Sequence, residues 1–205
     1  MIGPDPAAAG VDLHLGGGDA FGYRDPVSSD GAWTGATDRR GVTLVTLCTG
    51  NAARSVMAGA MLRDGPLPVV TAGTHVIEGQ PMSRRTRAAL EEVGFSADGH
   101  RSHQITEADI DGSVLILAMA AEHVSYIRRK HPEAAHRTAS IKRLVRDLPP
   151  GPEPLADRLA ALRLGDVEVE AWEDVEDPAG GEDPVYVSCA SELAELCARL
   201  LPLLA

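Results

Sequence analysis

VTLVTLCTGNAARSVMAGAML, residues 42–62, changes character twice. Its first six residues are apolar and β-branched, too few for a helix, and fit a buried strand. Its last part puts Val56, Ala60 and Met61 on one helical face. Between them lie Cys48, a run of small residues with one glycine, Gly50, and then Arg54 and Ser55. In an open α/β sheet, ligands bind outside the carboxyl ends of strands, where Cys48 falls. Small side chains at Thr49, Gly50, Asn51, Ala52 and Ala53 let successive backbone N–H groups turn inward, and the following helix start adds partial positive charge. The stretch therefore predicts a phosphate cradle. Those donors favour the thiolate of Cys48, and the planar fork of Arg54 grips two ligand oxygens. Ser55 donates to the sulfur, and Asn51 holds the loop's shape. The alternative for a lone cysteine after a strand is a buried core thiol. The C-x5-R-S spacing between strand and helix outweighs it. No lysine follows a second glycine, so the loop is not a Walker A motif.

Outward from this stretch, strands and helices alternate. LPVVTAG (67–73) reads as a second strand. MSRRTRAALEEVG (82–94) reads as a helix with Ser83 as N-cap and Gly94 as stop. SVLILAM (113–119) is the most apolar strand, and AAEHVSYIRRKHP (120–132) is a helix ended by Pro132. RTASIKRLV suggests a fourth short strand running into a helix, and another helix runs from near Pro154 to Gly165. The last begins at Asp183-Pro184, with Asp183 as cap, and carries Leu193, Leu196, Leu200 and Leu204 on one stripe. This order predicts a single α/β domain over residues 41–205: a central four-stranded parallel sheet with helices on both faces. Residues 1–40 are rich in Gly, Asp, Ala and Pro with little apolar periodicity, and are expected to be a disordered N-terminal extension.

Composition narrows the function. With 205 residues, 44% hydrophobic and 24% charged, the chain suits one soluble domain with a real core. Aromatics are only 3%, so the core rests on aliphatic side chains. A net charge of −11 argues against nucleic acid and anionic membranes as partners. The three cysteines, Cys48, Cys189 and Cys197, do not describe a disulfide framework, and a cytoplasmic location is expected. The first ten residues lack a basic start and an apolar core, so they do not read as a secretory signal.

Residues 42–205 resemble the low-molecular-weight protein tyrosine phosphatases. The resemblance rests on CTGNAARSVMAGAML, then TAGTHVIEGQPMS, GHRSHQIT, VLILAMAAEH and EDPAGG, in that order. It implies a phosphomonoester hydrolase that forms a phosphocysteine intermediate and needs no metal or cofactor. It makes Cys48 the nucleophile, Arg54 the phosphate ligand and Ser55 the thiolate's helper, with a supporting polar network of Asn51, Ser55, Thr71 and His100. Phosphorylated proteins or small phosphomonoesters are the implied substrates.

Breaking the P–O bond needs a general acid. Glu-Asp-Pro occurs twice, at 176–178 and 182–184. Asp183 stands at the start of the last helix, an ordinary structural place. Asp177 precedes Ala179-Gly180-Gly181 and has no such duty, so Asp177 is the expected acid; the resemblance agrees.

The sequence also departs from the family. Ala53 stands where a second cysteine is common, so an intraloop disulfide is ruled out and oxidation of Cys48 proceeds to irreversible forms. The aromatic wall is thin: His75, Ile77 and Ala179 occupy its usual places, and Trp172 and Tyr186 are expected to serve packing. The chain admits two other readings. An arsenate reductase would relay electrons through Cys189 and Cys197, but eight residues on one helix separate them by about 12 Å, beyond the about 7 Å a disulfide allows. A phosphate-binding module without turnover is opposed by Cys48, Arg54, Ser55 and Asp177 together. His100 and His103 lack a third metal ligand. His123, His131 and His136 are expected at the surface.

Overall fold

The computed structural model describes residues 42–205, so the expected tail at 1–40 lies outside the described residues. Four parallel strands, β1 (Thr43–Cys48), β2 (Val69–Gly73), β3 (Ser113–Ala118) and β4 (Thr138–Ser140), lie in the order β2-β1-β3-β4. The helices are α1 (Arg54–Leu62), α2 (Arg84–Glu92), α3 (Glu107–Gly112), α4 (Ala121–Lys130), α5 (Ile141–Asp147), α6 (Leu155–Ala161) and α7 (Asp183–Leu200).

Alternation along the strands divides the core. Leu44, Cys48, Leu115 and Leu117 face a large cluster with side chains of α1, α2, α5 and α7. Val45, Leu47, Ala72 and Ile116 face a smaller one with Ile110 of α3 and Ile127 of α4. Every residue of α1 is buried, because the helix lies directly on the sheet. A side-chain carbon on Gly59 would come within 2.3 Å of Thr71 Cγ2, so this close approach offsets the roughly 1 kcal/mol that glycine costs inside a helix.

The local signals at α2 hold: Ser83 Oγ accepts from the Thr86 amide at 3.0 Å, and Gly94 takes φ 84°. Two expectations need correction, and one helix has no counterpart among them. The cap of α7 is Glu182, with Asp183 already the first helical residue. After α6 the left-handed residue is Arg163, φ 51°, not Gly165. And α3, only six residues long, has no apolar period to reveal it; its signal is the reciprocal capping box of Thr106 and Asp109. Among the described residues, no helix is long and apolar enough to cross a membrane.

The chain runs from β1 to β2 on one side, then crosses to β3 on the other. The direction of winding reverses between β1 and β3, where such sheets bind ligands. Cys48 ends β1 at this point, and α4 begins beside it, just past the end of β3.

Candidate active site

The loop after β1 is held from outside by its carbonyls. The Cys48 carbonyl accepts from the Thr74 amide at 3.0 Å and that of Thr49 from the His75 amide at 2.9 Å. The Asn51 carbonyl accepts from His100 Nε2 at 2.9 Å and Ser102 Oγ at 3.0 Å. The Ala52 carbonyl accepts from Thr86 Oγ1 at 2.9 Å. In a planar trans peptide the C=O and the next N–H point opposite ways. Outward carbonyls therefore turn the amides of Thr49, Gly50, Ala52 and Ala53 inward, as an anion cradle requires. The strained turn falls on Asn51, φ 49°, rather than on Gly50, where an added methyl would meet no protein atom.

Gly73, at the end of β2, has a stricter duty. A side-chain carbon there would sit 2.6 Å from the Thr49 carbonyl oxygen and 2.9 Å from the Asn51 nitrogen. Both are backbone atoms of the cradle and cannot rotate away. Gly73→Ala is expected to cost about 1–3 kcal/mol, as overpacking does, and to weaken inhibition by inorganic phosphate. Thermal unfolding and a phosphate inhibition series measure both effects.

A directed chain of hydrogen bonds ends on the sulfur. The His103 amide donates to Asn51 Oδ1 at 2.8 Å, which fixes the orientation of the Asn51 amide group. Asn51 Nδ2 then donates to Ser55 Oγ at 2.9 Å. Ser55 Oγ keeps its own proton and lies 3.0 Å from Cys48 Sγ, to which it donates when the sulfur is a thiolate. Cys48, Asn51 and Ser55 are all buried. His100 joins through the Asn51 carbonyl, and burial lowers its pKa, favouring the neutral ring. The His103 ring lies elsewhere, 2.8 Å from Asp109 Oδ2; that bond, with Glu78 adding to it, raises its pKa to about 9. Thr71 makes no side-chain hydrogen bond among the described residues; its methyl lies under Gly59. The hydroxyl that reaches α1 is that of Thr46, donating to the Ser55 carbonyl at 2.9 Å.

Arg54 is 4% exposed. Its guanidinium donates to the Val175 carbonyl at 3.2 Å and to Asp177 Oδ2 at 2.6 Å. Asp177 Oδ1 accepts from the Ala179 amide at 3.0 Å, a local turn that keeps the carboxylate on the loop's inner side. Asp183 points to a surface ion pair with Arg85, 2.8 Å long. Sequence distance therefore misleads: the carboxylate 123 positions from Arg54 touches it. A cavity of about 330 Å³ opens here, lined by Arg54, Ala120, Glu122, Asp174, Val175, Glu176 and Asp177. Neither Trp172 nor Tyr186 lines it. Trp172 lies under Arg146, 4.0 Å from its ring centre, and Tyr186 is buried in the core.

His123 overturns the expectation of a surface residue. It is 1% exposed, because the start of α4 is pressed against the loop after β1. Its Nε2 lies 3.0 Å from Thr49 Oγ1. Burial, and then the charge of Arg54, pushes its pKa down to about 3. His131 is half-buried and His136 exposed. Cys189 and Cys197 both lie in α7, buried, and burial pushes both thiols up to about 12, so they behave as core groups.

Comparison with known proteins agrees with this geometry. Residues 43–150 match the family model described as low molecular weight phosphotyrosine protein phosphatase. The chain is 32% identical over 160 residues to a protein-arginine-phosphatase of Geobacillus stearothermophilus, covering 77% of this chain and 92% of the relative. It is 30% identical over 138 residues to a probable low molecular weight protein-tyrosine-phosphatase, EpsP, of Ralstonia solanacearum, covering 63% and 92%. Among solved structures, the YwlE arginine phosphatase of G. stearothermophilus superposes with a TM-score of 0.63 at 30% identity, over 78% of this chain and 90% of that one. A low molecular weight protein tyrosine phosphatase from T. tengcongensis gives 0.61 at 29%, over 78% and 97%. With the family model covering more than half the chain and the fold matched over most of it, the chain belongs to the low molecular weight phosphotyrosine protein phosphatase family and is a cysteine-dependent phosphatase.

Proposed function

We propose that this phosphatase dephosphorylates phosphotyrosine in proteins through a phosphocysteine on Cys48. The observation that carries this reading is the set of outward carbonyls at Cys48, Thr49, Asn51 and Ala52, which turns amides toward a sulfur already hydrogen-bonded by Ser55. In this mechanism the dianion settles among those amides and takes the guanidinium of Arg54. Asp177, released from Arg54 and carrying a proton taken from solvent, protonates the leaving oxygen as Cys48 Sγ attacks phosphorus, so that the S–P bond forms and the P–O bond breaks. Asp177 then accepts a proton from the water that attacks the phosphocysteine. The P–S bond breaks, the thiolate returns, and inorganic phosphate leaves. Thr49, Gly50, Asn51, Ala52, Ala53 and Ser55 bind and stabilise; no metal takes part.

One observation favours a second reading of the leaving group. The cavity beside Arg54 is lined by four carboxylates, Glu122, Asp174, Glu176 and Asp177, and by no aromatic ring. A phosphoarginine would place its cationic guanidinium among them, and one relative is named as a protein-arginine-phosphatase. Comparing kcat/KM for matched phosphotyrosine and phosphoarginine peptides, with a chelator present, decides between the two. A ratio above about 200-fold either way identifies the substrate, because a single methylene's difference in pocket fit already supplies about 10–200-fold.

A further inference from the structure

We infer that His123 is a positioning residue of the phosphate cradle, a neutral imidazole whose Nε2–H holds the hydroxyl of Thr49, the first cradle residue after the cysteine. This rests on the reading of the loop as an anion cradle and adds a residue to it.

The argument starts from hydrogen-bond capacity. The Thr49 hydroxyl has one proton. It lies 3.1 Å from Glu122 Oε1, a carboxylate that can only accept. The proton therefore points at Glu122, and Thr49 Oγ1 is left to accept from His123 Nε2, 3.0 Å away. That assignment puts the ring proton on Nε2. Nε2 also lies 3.3 Å from Glu122 Oε1. The other ring nitrogen, Nδ1, is buried and has no hydrogen-bond partner among the described residues. A proton on Nδ1 would be a buried donor with no acceptor, which is costly to leave unmade. The Nε2–H form leaves only a bare lone pair.

The charged groups around the ring point the same way. Arg54 from α1 acts on it as a cation. Glu122, next in α4, is 66% exposed in its side chain and well solvated. A protonated imidazole would stand buried beside a guanidinium, so the ring stays neutral when the cradle works. It can then hold Thr49 without adding charge that would rearrange on anion binding. Thr49 is in turn fixed from its carbonyl side by the His75 amide. Two anchors on one residue set the direction of the first cradle amides.

Three variants of the full chain test this: His123→Leu, His123→Gln and Thr49→Val, with the double variant His123→Leu/Thr49→Val. The readouts are the inhibition constant for inorganic phosphate, and kcat and KM for a small aryl phosphate. His123→Leu is expected to weaken phosphate binding and raise KM by about tenfold, the size of one well-made buried hydrogen bond, with kcat less affected. Glutamine, whose side-chain N–H reaches the place of Nε2, recovers most of that loss. Thr49→Val loses a similar factor, and adding His123→Leu to it costs little more, because the interaction is already gone. Equal behaviour of leucine and glutamine, or losses that multiply in the double variant, would overturn the proposal. A fold-independent check is NMR of the wild-type imidazoles: the His123 ring should carry its proton on Nε2 and stay neutral from pH 8 to pH 5. Titration of that ring near the ordinary histidine range, or a proton on Nδ1, sinks the assignment even if His123→Leu does not fold. A wild type that hydrolyses no aryl phosphate yet binds phosphate would defeat the catalytic reading while leaving this one testable by the binding series.

Discussion

Cys48→Ser is expected to lower kcat by roughly 10⁴-fold or more, the scale of losing a nucleophile, with the fold intact. The serine fits, since Cys48 is a small buried group at the end of β1, and its oxygen keeps a partner in Ser55 Oγ. What it loses is nucleophilicity: a serine hydroxyl is a far weaker nucleophile than a cysteine sulfur. The amides that make the cradle belong to the backbone and are held from outside, so the variant should still bind phosphate or vanadate. Steady-state hydrolysis of a small aryl phosphate, run with a chelator beside a phosphate-binding titration, checks both halves. A Cys48→Ser protein that retains turnover would show that the sulfur is not the nucleophile.

Asp177→Asn should have two effects of opposite benefit. Removing the proposed general acid is expected to slow hydrolysis by about 10²–10⁴-fold for leaving groups of high pKa. The loss shrinks for leaving groups of low pKa, which depart without a proton. The same change removes the carboxylate that occupies Arg54 in the free protein, at 2.6 Å. Phosphate no longer has to displace it, so inhibition by phosphate should tighten by up to about fivefold, the scale of a partly exposed ion pair. A leaving-group series on wild type, Asp177→Asn and Asp183→Asn separates these outcomes. Asp183 sits in a surface pair with Arg85, and its variant should follow wild type across the series. If Asp183→Asn instead shows the steep dependence, the acid has been misassigned.

Much of this site is legible in the chain because it is local. Cys48, the small loop and Arg54 lie within seven consecutive residues, and a strand followed by a helix leaves such a loop few shapes. The same holds for Ser83 and Gly94 around α2. After α6 the difference is local: Arg163 rather than Gly165 takes the left-handed turn, its guanidinium on Asp166 three residues on. Elsewhere a longer-range contact decided. Asp183, expected to cap α7, lies inside it and reaches across to Arg85 of α2. His123 looked like a surface histidine because charged residues flank it, yet the start of α4 abuts the cradle.

The amino-acid sequence by itself determined the alternation of strands and helices, the C-x5-R loop and the choice of cysteine, because backbone periodicity and short-range spacing carry that information. Only the tertiary structure decided which distant groups meet the loop. The order β2-β1-β3-β4 reverses winding beside Cys48, bringing His123 onto Thr49 across 74 positions and Asp177 onto Arg54 across 123. No local pattern encodes those meetings. They follow from how the sheet is wound and from the burial of its two faces, which press α4 and the segment before α7 against the same strand ends.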